Sequence, residues 1–112
     1  MGKIFYGKKY EREAALSDIN FTQLPKAVSV LKLLANPDRL KIVCVLERQA
    51  LNVGEIAALT NILQPTLSQQ LGILRQSGLL STKKQGKFVY YQLADDKVMR
   101  LIGSLHELYC QP

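Results

Sequence analysis

The pattern of apolar and polar positions between residues 61 and 93 predicts a helix followed at once by a β-hairpin. Three leucines spaced i, i+4 and i+7 form one apolar face of the helix: Leu67, Leu71 and Leu74. Gln64 and Pro65 are predicted to open this helix, because proline suits the first turn, where its missing N–H is not needed. Ser77 and Gly78 are predicted to end it, since glycine fits the left-handed position after a helix.

The hairpin is predicted from two runs of strand-forming residues, 79–83 and 88–93, joined by a turn at residues 84–87. Of Phe88, Tyr90 and Tyr91, at least one is expected to pack on the core, and base stacking is the less favoured alternative. A helix followed by such a hairpin is typical of a winged helix-turn-helix. In that arrangement the helix enters the major groove of DNA and the hairpin, or wing, lies along the backbone.

Two helices are predicted in the first half of the chain. The first covers residues 24–35, and its apolar stripe includes Leu24, Val28 and Leu31. The second begins after Asn36, which suits the N-cap position, and runs to about Arg48. It is apolar almost all round from residue 42 to residue 46, and we therefore place it at the centre of the core.

Two more helices complete a fold that is mainly α with a small β-hairpin wing. Asn52 is predicted to cap a short helix over residues 53–60, which is the first helix of the helix-turn-helix. The last helix, residues 97–110, opens at Asp95 and Asp96 and carries a long apolar stripe. It can lie on its own core or form a dimer seam. We favour the dimer, because DNA-binding proteins of this type usually bind two half-sites.

Length and composition agree with one globular domain, since the chain has 112 residues of which 47% are hydrophobic. We assign residues 1–20 to an N-terminal tail with a weak helix and residues 21–112 to a DNA-binding and dimerisation domain. No apolar run approaches the roughly 18 residues of a membrane span, so we expect a cytoplasmic protein with no membrane partner. The sequence has no nucleophile–base–acid set, which argues against an enzyme, and it implies no cofactor.

The charge distribution points to a polyanionic partner. The formal net charge is +6, and residues 56–94 contain no Asp or Glu but four basic residues. Double-stranded DNA is therefore favoured over an ordinary solvated surface and over a winged helix that binds only protein or RNA. Candidate contacts with base edges and nearby phosphates are the uncharged side chains of the helix: Gln64, Thr66, Ser68, Gln69 and Gln70. Candidate contacts with the DNA backbone are the basic ones: Arg75, Lys83, Lys84 and Lys87.

Three stretches resemble the ArsR/SmtB family of bacterial winged-helix repressors: LLANPDRLKIVCVL, NVGEIAALTNILQPTLSQQLGILRQSGLL and FVYYQL. The resemblance implies a homodimer, paired through its N- and C-terminal helices, that releases an operator when an inducer binds. The chain departs from the metal-sensing members. Its helix VGEIAALT lacks their Cys-x-Cys pair, and its last helix lacks their Asp-x-His and His-x-x-Glu/His pattern. No metal site is therefore predicted.

Two cysteines remain as candidate sensing residues, Cys44 in the core helix and Cys110 at the end of the last helix. This arrangement resembles a thiol-sensing branch of the same family. The resemblance implies that a disulfide or a short polysulfide bridge joins them when the cell meets reactive sulfur species or an oxidant, and that the bridge weakens DNA binding. On position alone, Cys44 is better explained as a small core hydrophobe. The sequence leaves open whether the bridge forms within one protomer.

Two alternatives to this repressor remain. One is an activator that displaces a nucleoid silencer from promoter DNA. The other is a metal-responsive repressor that uses Cys44, His106 and Cys110 in some combination. His106 and Cys110 are spaced i, i+4 on one helix, but two ligands are too few for a protein metal site, so a spectator histidine is favoured.

Overall fold

The computed structural model describes residues 18–112, so most of the predicted N-terminal tail and its weak helix lie outside the described residues. The described part contains five α-helices, a three-stranded antiparallel sheet and a final π-helical turn. Their bounds are α1 Leu24–Leu34, α2 Pro37–Val45, β1 Leu51–Asn52, α3 Val53–Thr60, α4 Thr66–Gln76, β2 Leu80–Gln85, β3 Phe88–Leu93, α5 Asp96–Leu105 and the C-terminal turn His106–Cys110. Within residues 18–112, no helix is both long and apolar enough to cross a membrane.

Helix α2 occupies the centre of the core, as predicted. The side chain of Asn36 accepts a hydrogen bond from the backbone N–H of Arg39 at 3.0 Å, which caps the helix. Ile42 and Val43 have no exposed surface. The predicted end near Arg48 was wrong, because α2 ends at Val45. A tighter turn follows, in which the Glu47 N–H donates to the Cys44 carbonyl three residues earlier at 3.3 Å.

The helix-turn-helix consists of α3, residues 61–65 and α4. Asn52 caps α3 as predicted, and Asn61 ends it with a φ of 59°. Gln64 and Pro65 stand at the opening of α4 as predicted, but Pro65 does not belong to its first turn. Pro65 is the N-cap, and its carbonyl accepts the first helical bond from Gln69 at 3.1 Å. The three leucines of the predicted apolar face are all buried: Leu67, Leu71 and Leu74.

The sheet has the order β1–β3–β2, so the strand at its centre is β3. Strand β1 pairs Leu51 with Tyr91 and was not predicted, because two residues are too few to show an alternating pattern. Strand β2 extends two residues beyond the predicted end at Lys83, and Lys84 pairs with Val89 inside the ladder. The predicted four-residue turn was therefore too long. It contains only residues 86 and 87, because Gly86 adopts a φ of 62°, which a two-residue turn requires.

The last predicted helix is divided in two. Helix α5 begins after Asp95, whose side chain accepts a hydrogen bond from the N–H of Lys97 at 2.7 Å. It buries Val98 and Ile102 and ends at Leu105. The remaining residues form the π-helical C-terminal turn, in which Leu108 and Tyr109 are 73% and 79% exposed. Because a π-helix winds more slowly than an α-helix, the predicted apolar stripe does not continue along one face.

Candidate nucleic-acid interface and cysteine pair

Helix α4 presents its uncharged polar side chains in two different settings. Ser68 and Gln69 are exposed, while Thr66 and Gln70 are half-buried. Gln64 precedes the helix, and its Oε1 accepts a hydrogen bond from the N–H of Ser68 at 3.0 Å. This bond satisfies one of the N–H groups that an α-helix leaves free in its first turn. Gln64 therefore supports the first turn of the helix, and Gln69 is exposed to a partner.

Gln70 is held by Arg39, and this contact was not predicted from the sequence. Its Oε1 accepts a hydrogen bond from Nη1 of Arg39 at 2.9 Å, and Nε of Arg39 donates to the carbonyl of Leu33 at 2.6 Å. Arg39 thus joins α1, α2 and α4. Arg39 lies in the stretch LLANPDRLKIVCVL that carries the family resemblance, but nothing in that stretch indicated a contact 31 residues away.

The predicted basic side chains are all exposed, at the end of α4 and on the wing: Arg75, Lys83, Lys84 and Lys87. Lys83 pairs with Tyr90 and Lys84 with Val89, so the two adjacent lysines point to opposite faces of the hairpin. Nζ of Lys87 lies 5.7 Å from the centre of the Phe88 ring at the tip. Tyr91 packs partly against the core, which confirms that one aromatic residue of β3 fills it.

The two cysteines line the same cavity within the single chain. Cys44 on α2 is half-buried and Cys110 on the C-terminal turn is exposed, and both are free thiols. They line a cavity of about 520 Å³ that is also bounded by the end of α3 and the residue that follows it, Thr60 and Asn61. The pKa of Cys44 is raised to about 11, first of all by burial. The charge and hydrogen bonding of the neighbouring Cys110 and the charge of Glu47 raise this pKa further. Cys44 is therefore protonated at neutral pH.

His106 makes a protein contact: its Nδ1 lies 3.2 Å from Oε1 of Glu47. Among the described residues, no group of three or more His, Cys, Asp or Glu side chains is placed to hold a metal ion. A site built from Cys44, His106 and Cys110 is therefore not assembled in this part of the chain.

Comparisons with known proteins place these features in a family. Residues 36–82 match the family described as "Bacterial regulatory protein, arsR family". The biofilm growth-associated repressor of Agrobacterium fabrum is 47% identical over 83 residues, which cover 74% of this chain and 71% of that protein. The transcriptional activator HlyU of Vibrio cholerae is 44% identical over 86 residues, which cover 77% of this chain and 80% of that protein.

Solved structures show the same architecture. HlyU from Vibrio cholerae superimposes with a TM-score of 0.75 at 42% identity, covering 80% of this chain and 98% of the other. The transcriptional repressor BigR from Xylella fastidiosa superimposes with a TM-score of 0.72 at 36% identity, covering 88% of this chain and 93% of the other. The predicted winged helix-turn-helix fold is thereby confirmed.

Proposed function

The chain belongs to the arsR family and is a DNA-binding transcriptional regulator, and from this premise we propose that it is a dimeric repressor switched by Cys44 and Cys110. The observation that carries the proposal is that both thiols line one cavity of the same protomer. A bridge that closes within one chain needs no rearrangement of partners. Reactive sulfur species or an oxidant would be the inducer, and double-stranded operator DNA would be the partner.

The reaction begins at Cys110, because its sulfur is exposed while Cys44 is half-buried and protonated. The Cys110 thiolate attacks the outer sulfur of a persulfide such as glutathione persulfide; a new S–S bond forms and glutathione thiolate leaves. Cys44 then loses its proton to solvent, and its sulfur attacks the Cys110 sulfur. The S–S bond of the Cys110 persulfide breaks and hydrosulfide leaves. Two electrons pass from the cysteines to the transferred sulfur. A longer polysulfide would leave sulfur atoms inside the bridge.

The position of the cavity supports a link from this bond to DNA binding. Helix α2, which carries Cys44, packs against both α3 and α4. The cavity is bounded by Leu59, Thr60 and Asn61, where α3 ends and the turn of the helix-turn-helix begins. Drawing the C-terminal turn onto α2 would therefore press on the segment that sets the angle between α3 and α4. A small change in that angle is enough to misplace α4 in a major groove.

Intact-protein mass spectrometry and a gel shift on the protein's own promoter test the proposal together. Under anaerobic conditions, glutathione persulfide or diamide should remove both thiols, with loss of two hydrogens or gain of whole sulfur atoms, and should release the DNA. Cys44→Ser and Cys110→Ser should bind DNA like the reduced protein and should not respond. Release that persists in both serine variants, or a bridge that leaves DNA bound, would refute the switch.

One relative favours a second candidate function. HlyU of Vibrio cholerae is named a transcriptional activator, while the Agrobacterium relative is named a repressor. The same DNA-binding surface serves an activator if it displaces a silencing protein from a promoter. Transcription from the target promoter in vitro, with and without a nucleoid silencer, separates the two: a repressor lowers transcription in both reactions, whereas an anti-silencing activator raises it only when the silencer is present.

A further inference from the structure

Arg39 is fixed by two hydrogen bonds at the junction of three helices. Its Nε donates to the carbonyl of Leu33, which belongs to the last turn of α1. The residue four positions on, Pro37, has no N–H, so this carbonyl has no helical donor. Arg39 supplies that donor at 2.6 Å and so gains a fixed position from which Nη1 reaches Gln70.

The contact with Arg39 fixes the orientation of the Gln70 amide. A guanidinium group carries five N–H donors and no acceptor, so only the oxygen of the amide can face it. The Nε2 group of Gln70 is therefore turned away from Arg39 with two donors. Among residues 18–112, no side-chain or backbone acceptor binds Nε2 of Gln70. Gln69, one position earlier, is exposed, and no described residue binds its side chain, so both halves of its amide are open to a partner.

We propose that Arg39 is a positioning residue that makes Gln70 a donor-only contact to DNA. Its amide nitrogen would donate to one acceptor atom: N7 of a purine, O6 of guanine, O4 of thymine or a phosphate oxygen. The two-bond contact of glutamine with adenine is excluded for Gln70, because that contact needs the amide oxygen to accept from the adenine 6-amino group. Gln69 remains able to make it. This inference rests on the proposed DNA-binding role of α4.

A double-mutant cycle on Arg39 and Gln70 tests the proposal. The probe is the duplex that wild-type protein enriches from a random-sequence pool. Gln70→Ala should weaken binding about fivefold, the size of one hydrogen bond. Arg39→Lys keeps the charge but cannot reach both the Leu33 carbonyl and the Gln70 amide oxygen. It should lower DNA affinity about fivefold in the wild-type background and less than twofold in the Gln70→Ala background. The matched control is Gln76→Ala, an exposed glutamine on the same helix, which should show no coupling with Arg39→Lys.

Modified duplexes distinguish the acceptors. If a base edge is the acceptor, replacing one base by an analogue that lacks that acceptor atom weakens binding by the wild type but leaves binding by Gln70→Ala unaffected. If a phosphate is the acceptor, a methylphosphonate at one position weakens binding by the wild type but leaves binding by Gln70→Ala unaffected. Nebularine in place of adenine removes the 6-amino group and should weaken wild type and Gln70→Ala by the same factor.

Three outcomes would overturn the inference. An equal loss from Arg39→Lys in both backgrounds would show that Arg39 acts only by supporting α1, and the melting temperature would fall equally in both. A nebularine effect that disappears in Gln70→Ala would show that the amide oxygen reads adenine. Failure of the wild type to enrich any duplex would refute the proposed function and this inference with it, whereas the first two outcomes refute the inference alone.

Discussion

The ring nitrogen Nδ1 of His106 lies 3.2 Å from Oε1 of Glu47, although the two residues are 59 positions apart in the chain. Glu47 lies just beyond α2, and His106 begins the C-terminal turn that ends at Cys110. Their side chains are only 14% and 27% exposed, so water competes weakly for the contact. The pair ties the segment that carries Cys110 to the end of the helix that carries Cys44.

His106→Ala should therefore slow bridge closure without preventing it. One hydrogen bond is worth about 1 kcal/mol, which lowers the population of the closed turn about fivefold. The measurement starts from a mixed disulfide of Cys110 with thionitrobenzoate and follows the coloured leaving group as Cys44 attacks. The matched control is Glu107→Ala, an exposed neighbour on the same turn, which should close at the wild-type rate. Equal rates in all three proteins would show that the His106 contact does not position Cys110.

The same assay should show a steep pH dependence. Burial is the first cause that raises the pKa of Cys44 to about 11, and it persists when Cys110 is blocked. Only the thiolate attacks, and below its pKa its fraction rises tenfold per pH unit. The release rate should therefore continue to rise above the pH of about 8.5 at which the rate of an ordinary cysteine levels off. A plateau near pH 8.5 would contradict the raised pKa.

Gln69→Ala and Lys84→Ala should weaken DNA binding in different ways. Loss of a two-bond base contact from Gln69 should cost about 1–3 kcal/mol on the selected duplex and little on random DNA. Loss of the Lys84 charge should weaken both equally and lower the salt slope by about one. Fluorescence anisotropy at several salt concentrations measures both effects. The control is Lys32→Ala, which changes an exposed lysine outside residues 56–94. Equal losses on both DNAs for both variants would refute this division.

The helix boundaries were predictable wherever a local hydrogen bond sets them. Asn36 and Asn52 each accept from a backbone N–H three residues on, and Gly78 takes a φ of 86° after α4. Each signal lies within a few residues of the boundary that it marks. The end of α2 was wrong because no comparable residue stops the helix there, and the change from an α-helix to a π-helical turn after Leu105 was not predicted.

The contacts that connect the candidate sites were not predictable, because they join residues distant in the chain. Arg39 meets Gln70 across 31 positions, and Glu47 meets His106 across 59. The periodicity of a helix indicates which face is apolar, but not which polar side chain on another helix lies opposite. Cys44 and Cys110 were paired only through the family resemblance, since position alone favoured a core role for Cys44.

Asn52→Ala should destabilise the protein, because two hydrogen bonds link this residue to Glu55. Oδ1 of Asn52 accepts from the Glu55 N–H at 2.9 Å, and the Asn52 N–H donates to Oε1 of Glu55 at 3.0 Å. Removing the capping side chain should cost about 1 kcal/mol of the free energy of unfolding, measured by urea denaturation. Asn52→Asp keeps the acceptor oxygen and should retain most of this free energy of unfolding. A loss of the same size in both variants would assign the effect to the β1 segment rather than to the cap.

Leu31→Lys should separate the protomers of the proposed dimer. Leu24, Val28 and Leu31 form an apolar stripe on α1 that is 51%, 41% and 56% exposed in the single chain. Leu31 and Leu101 also line a cavity of about 340 Å³ between α1 and α5. In a symmetric dimer the substitution occurs twice, and burial of each leucine is worth about 1.5–3 kcal/mol, so the dissociation constant should rise at least about a hundredfold. Sedimentation velocity measures the change, with Lys32→Ala as the control off the stripe. A wild type that sediments as a monomer, or a Leu31→Lys variant that stays dimeric, would place the dimer seam elsewhere.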